Sequence, residues 1–180
     1  MRWEGNMSIF KAVSYHGNTI HFLMNRFNYV FRSGATNPRY VRGFHVGIPE
    51  FVEMVFLEKW VHGKNSGKAF NHFILSFNEG TDYRDDELDL FQAAVAVGNC
   101  LAYYGRGTYM GVMAMHFDTK NGLLPHAHYL FDDCDSSTGK KLTLDKSGLF
   151  HLKEAVSNEL VSRGFSEVKT YHAKMKSNYF

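Results

Sequence analysis

An α+β two-layer sandwich, with a central antiparallel sheet and helices mainly on one face, is the fold class this 180-residue sequence predicts. Three observations lead there. The apolar patterning runs strand, helix, helix, strand, helix, strand, strand, strand, helix, which is not the β–α alternation of a parallel sheet. Two of those strands, Thr108–His116 and His126–Phe131, are joined by the short segment Phe117–Pro125, natural for an antiparallel pair. A composition that is 44% hydrophobic and 16% aromatic, with 3 prolines, supplies one sizeable core and excludes global disorder.

Each element has a local reason. Ser8–Val13 (SIFKAV) reads as a short strand. Thr19–Arg32 reads as a helix with Asn18 or Thr19 as N-cap. At about 100° per residue from Ile20, Leu23, Met24, Phe27, Val30 and Phe31 share one face, and Tyr29 lies roughly opposite, beside Asn25 and Arg26. Gly34, Pro38 and Gly43 make Ser33–Gly47 a loop. Pro49 opens a helix over Glu50–Val61, and Phe70–Phe77 alternates as a strand. Asp82–Tyr104 reads as a long helix whose first turns hold Asp85, Asp86 and Glu87, suited to the positive end of its dipole. After the two paired strands, a turn at Asp135–Gly139 leads to a further strand at Lys140–Leu144. Leu149, Leu152, Val156 and Leu160 space out a last helix over Gly148–Arg163, stopped by Gly164. The domain is expected over 1–165, with 166–180 a C-terminal tail that a further region would continue.

Charge narrows the classes only slightly. The formal net charge is +2, mildly basic, so any surface for an acidic partner must be local. Leu90–Gly105 is the longest apolar-looking stretch; Gln92, Gly98 and Asn99 leave it short of the ~20 apolar residues of a bilayer span. The start, MRWEGNMSIF, has no apolar signal core, so a cytoplasmic location is expected. Cys100 and Cys134 form neither a disulfide framework nor a CxxC pair.

Ten histidines are many for this length, and three fall together. His126 and His128 stand at i and i+2 on one strand, so both rings project from the same face about 7 Å apart along it. His116 ends the preceding strand. Pairing of those strands gathers three imidazoles at one sheet end, leaving positions open for oxygen ligands on a catalytic divalent metal. Asp118 or Asp132 would orient a ligand histidine from behind.

Four blocks, in order, carry a family resemblance. They are FKAV with NTIHFLMNRFNYVFR; Asn71-His72-Phe73-Ile74-Leu75-Ser76-Phe77 with Gly80; His116-x-Asp118 with His126-x-His128; and TGKKLTL with the closing helix. Together they resemble the relaxase/mobilization nucleases, the HUH endonucleases that nick plasmid DNA at a transfer origin. Relative to the family pattern, the segment between His116 and His126 is lengthened by Gly122-Leu123-Leu124 and lacks an extra histidine.

The resemblance implies that His116, His126 and His128 hold one Mg²⁺ or Mn²⁺. It implies that Tyr29 attacks the scissile phosphate to give a 5′-phosphotyrosyl intermediate and a free 3′-OH, with Asp118 fixing a ligand histidine or assisting deprotonation. Tyr15 is the rival nucleophile. Ser76 would lie near the substrate phosphates. Arg26, Arg32, Arg39, Arg42, Lys64, Lys68, Lys140 and Lys141 are candidate contacts for single-stranded DNA. Relaxosome accessory proteins and a coupling protein are the further partners implied. A rolling-circle replication initiator is the alternative enzyme; those proteins generally carry the tyrosine after the histidine motif, and Gly148–Arg163 offers none. A catalytically inactive DNA-binding remnant and a zinc hydrolase of small molecules are the remaining readings.

Overall fold

The computed structural model describes residues 7–13, 20–78, 80–82, 86–117 and 125–169. Five strands form one sheet: β1 (Ile9–Val13), β2 (Thr36–Phe44), β3 (Phe70–Ser76), β4 (Gly111–His116) and β5 (His126–Asp132), in the order β1-β3-β5-β4-β2. Every neighbouring pair is antiparallel. The expected α+β class with an antiparallel sheet is thus the observed one. β5 lies in the middle, and each of its residues is buried, as is each residue of β4. This explains their near-continuous apolar runs, since strands covered on both faces do not alternate.

Four helices cover the sheet: α1 (Ile20–Val30), α2 (Phe51–Val61), α3 (Glu87–Ala102) and α4 (Lys146–Ser162). They divide between its faces. Leu90, Ala94 and Val97 of α3 and Leu152, Val156 and Leu160 of α4 pack with Phe73, Met113, Met115 and Tyr129. Leu23 and Val30 of α1 and Phe51 and Val55 of α2 pack with Val112, Ala114 and Leu130 on the opposite face. The expected two layers, with helices mainly on one face, therefore become three. Tyr129 is fully buried and donates its hydroxyl to the Ala94 carbonyl at 2.9 Å, fastening β5 to α3.

Several boundaries differ from the sequence reading. Ser33–Gly47 is not all loop, because Thr36–Phe44 is the edge strand β2. Pro38 lies where the register against β4 slips between Thr36 and Val41, and an edge strand tolerates both the missing N–H and the arginines. The α3 helix starts at Glu87, with the Asp86 carboxylate accepting from Leu88 N; Asp82 lies before it and serves a different purpose. Its buried carboxylate accepts from Ser8 Oγ at 2.6 Å, Asn78 N at 2.9 Å and Ser166 N at 2.7 Å, tying three distant segments together. Lys140–Leu144 is not a strand; it makes one bridge, Lys141 opposite Cys134. Asp145 caps α4 through Gly148 N, and Gly164 at φ 76° follows its end. Beyond it, Val168 is buried and bridges Ser8. Asn18, Thr19, Tyr15 and Asp118 lie outside the described residues.

Candidate active site

The antiparallel register sets the site. His116 stands directly opposite His126, and Ala114 opposite His128, so three imidazoles share one sheet face at one end of β4 and β5. Ring centroids are 4.5 Å apart for His116–His128, 4.9 Å for His126–His128 and 5.2 Å for His116–His126. One ring nitrogen from each lies within 4.8 Å of the other two. All three residues are buried, His126 least so.

Hydrogen bonds decide which nitrogens face one another. His116 Nε2 is 2.7 Å from the Val30 carbonyl, an acceptor only, so Nε2 carries the proton and Nδ1 keeps its lone pair. His128 Nδ1 is 3.0 Å from His72 Nε2, while His128 Nε2 is buried with no hydrogen-bond partner among the described residues. Burial first, and then the neighbouring His116, His126, His72 and Arg32, push the His128 pKa down to about 2. Burial, Arg26 and Lys11 lower His72 to about 4. At neutral pH His128 and His72 are therefore uncharged, and His128 holds a buried nitrogen with no partner among the described residues beside the rings of His116 and His126, which fits a divalent cation.

Tyr29 faces this cluster from α1. Its ring centroid lies 5.8 Å from that of His128 and 6.5 Å from that of His116, and the residue is 44% exposed, so solvent and substrate reach it. The Arg32 guanidinium sits 4.3 Å over the Tyr29 ring and donates to its carbonyl at 2.9 Å. The end of α1 is pinned by the next carbonyl: Val30 O accepts from both His116 and Thr36 Oγ1. Of the stripe opposite Tyr29, Leu23 and Val30 are buried, but Met24 is 48% exposed and belongs to the outer face.

The other expected site residues scatter. Ser76 pairs with His126 and shares the histidine face. Arg26, one turn before Tyr29, stacks on Phe22 at 5.0 Å. Arg42 pairs with Met113 and so faces the other side of the sheet, where it lines a groove with Phe91 and Arg163. Lys141 donates to Ser66 O and Lys68 O near the far end of β5, and Lys140 adjoins it, exposed. Asp132 is not behind a histidine. It ends β5, about 20 Å along the strand from His126, and binds Lys59 at 2.7 Å. The partners behind His128 and His116 are instead His72 and the Val30 carbonyl. Neither was assigned from the sequence; His72 was legible only as a motif letter, and a carbonyl has no sequence signal.

Residues 29–163 match the family model of the relaxase MobA/VirD2-like nuclease domain. The chain belongs to this relaxase family. It is accordingly a DNA-nicking enzyme, and the assignment selects relaxase over rolling-circle initiator and small-molecule hydrolase. The matched segment opens on Tyr29 and contains all three clustered histidines. No curated protein matches the sequence. Among solved structures, the relaxase resembles the MobM relaxase domain in Mn-bound crystals with plasmid pMV158 oriT DNA. The structure at pH 6.5 gives a TM-score of 0.66 at 14% identity over 97% of this chain and 92% of that one. The structure at pH 5.5 gives 0.65 at 14% identity over 97% and 94%. At such identity the likeness establishes the shared fold.

Proposed function

We propose that this relaxase nicks one strand of plasmid DNA at a transfer origin, with Tyr29 as the nucleophile, to start conjugative mobilization. The observation that carries the reading is a half-exposed phenol set against three buried, clustered imidazoles. His126, with His116 through Nδ1 and His128 through Nε2, would hold Mn²⁺ or Mg²⁺; the Mn-bound state of the similar MobM domain supports this choice. A cation held there supplies Lewis-acid polarisation of the scissile phosphate and offsets charge in its transition state.

The chain's own groups do the rest. The Tyr29 oxygen forms a bond to phosphorus as the bond to O3′ breaks; the phenol proton passes by way of Asp118 or water to O3′, which leaves as a hydroxyl. The phosphodiester is conserved as phosphotyrosine, so the strand can be rejoined. Arg32, stacked on the phenol, and Arg26, one turn earlier, would meet phosphates, as would Ser76, which pairs with His126. Single-stranded DNA would run across this sheet end. Accessory relaxosome proteins and a coupling protein complete the partner set, and the setting is cytoplasmic; no helix among the described residues is long and apolar enough to cross a membrane. The nuclease unit, expected over 1–165, extends at least to Val168, which is buried in its core and bridges Ser8.

End-labelled single-stranded oligonucleotides tiling the DNA beside the protein's own gene test the proposal, with and without Mn²⁺. One nick position, dependent on metal and lost in Tyr29→Phe, is expected. Absence of cleavage at every position with Mn²⁺ present would make the chain the inactive remnant instead.

A further inference from the structure

We propose that His72 is a positioning residue, which holds His128 in the tautomer and orientation that aim its Nε2 into the ligand cluster. The inference rests on the metal-site reading above. His72 lies on β3 two residues from Ile74, whose partner across the strands is His128, so the two rings meet on the diagonal of one sheet face. Their centroids are 5.2 Å apart, with His72 Nε2 3.0 Å from His128 Nδ1, and both residues are buried. One nitrogen of this pair must donate and the other accept. The choice follows from the far side of the His128 ring. Its Nε2 is buried with no hydrogen-bond partner among the described residues, and one ring nitrogen of His128 lies within 4.8 Å of one each from His116 and His126. A proton there would meet nothing able to accept it, whereas a lone pair would meet a cation. The proton therefore sits on His128 Nδ1 and is donated to His72 Nε2, which leaves the His72 proton on its own Nδ1.

The cluster thus uses two backings of different kinds. The Val30 carbonyl turns His116 so that Nδ1 faces inward, and a side chain turns His128 so that Nε2 does. Only the second can be altered by substitution, and it comes from a strand that contributes no ligand.

Long-range ¹H–¹⁵N spectra of the metal-free protein read the tautomer directly. A His128 ring protonated at Nδ1 is expected, and one protonated at Nε2 overturns the proposal, whatever any variant does. Mn²⁺ titration by calorimetry, without DNA, then compares two substitutions with the unaltered chain. His72→Leu keeps bulk and removes the acceptor, and should weaken Mn²⁺ binding about 10- to 100-fold. His72→Gln places an amide oxygen near the lost Nε2 and should recover most of that loss. Unchanged affinity in His72→Leu, or a glutamine variant as weak as the leucine one with the same melting temperature as the unaltered chain, would refute the positioning role. Failure of the unaltered chain to bind Mn²⁺ would instead overturn the metal site itself, and the inference with it.

Discussion

Replacing Lys59 with methionine should cost about 3–5 kcal/mol, because it strips the counter-charge from a buried acidic pair. Lys59 Nζ donates to Asp132 at 2.7 Å and to Asp133 at 2.5 Å, and the three residues are 7%, 0% and 1% exposed. Asp132 also accepts from Cys134 N, and Glu58 is buried beside it. Burial first, then the neighbouring Glu58 carboxyl, pushes the Asp132 pKa up, against the pull of Lys59. Burial disfavours the Lys59 charge, but the two aspartates outweigh it and raise its pKa. Methionine keeps most of the stem packing, so the loss is electrostatic. For a chain of this length the cost corresponds to a melting drop of roughly 6–20 °C. The pH dependence gives the sharper test. A carboxyl with a raised folded pKa contributes stability fully present below its unfolded pKa near 4 and lost as pH rises through the folded value. Asp132 sits at about 8 in the folded chain, and removing Lys59 raises it further, so the deficit should be steady between about pH 5 and 7 and grow as pH rises past 8 toward 9. Urea unfolding followed by circular dichroism at pH 6 and pH 9 measures it. Equal midpoints at pH 6, or a deficit no larger at pH 9, would refute the reasoning.

Three further outcomes follow from other sites. Burial opposes the Asp82 charge, but hydrogen bonds from Ser8, Asn78 and Ser166 win and lower its pKa, so its stabilisation is present above about pH 4 and lost as pH falls further. Asp82→Asn should cost about 1.5–3 kcal/mol at pH 7 by urea titration, and the gap should narrow in acid. A Cβ on Gly98 would lie 2.1 Å from the Phe44 ring, so Gly98→Ala should overpack the α3–β2 contact and cost about 1–3 kcal/mol, read as a lower melting temperature. Arg32→Ala removes the cation over the Tyr29 ring and should slow single-turnover nicking roughly 2- to 30-fold. Arg42→Ala, on the other sheet face, should slow it less.

The histidine cluster was legible because strand geometry is regular. A two-residue spacing and a short connection suffice to place His116, His126 and His128 on one face, whatever surrounds them. Tyr29 was legible as a polar-side residue of α1, but not that this side turns toward the histidines, since that depends on where Val30 O and His116 meet. The β2 strand escaped because Gly34, Pro38 and Gly43 read as breakers, and nothing local marks an edge strand that pairs on one side only. Asp132 was placed behind the histidines by chain proximity, yet β5 carries it to the opposite sheet end, where its partner Lys59 comes from a helix 73 residues earlier. Long-range polar pairs such as this one, and His72 with His128, 56 residues apart, leave no periodic trace in a sequence.

The covalent adduct tests the central chemistry most directly. After reaction with the cleavable oligonucleotide and Mn²⁺, nuclease trimming and trypsin digestion, mass spectrometry should find the nucleotide on the peptide Phe27–Arg32, whose single tyrosine is Tyr29. A nucleotide on the neighbouring peptide Ala12–Arg26, which holds Tyr15, or nicked DNA with no protein attached, would contradict the account.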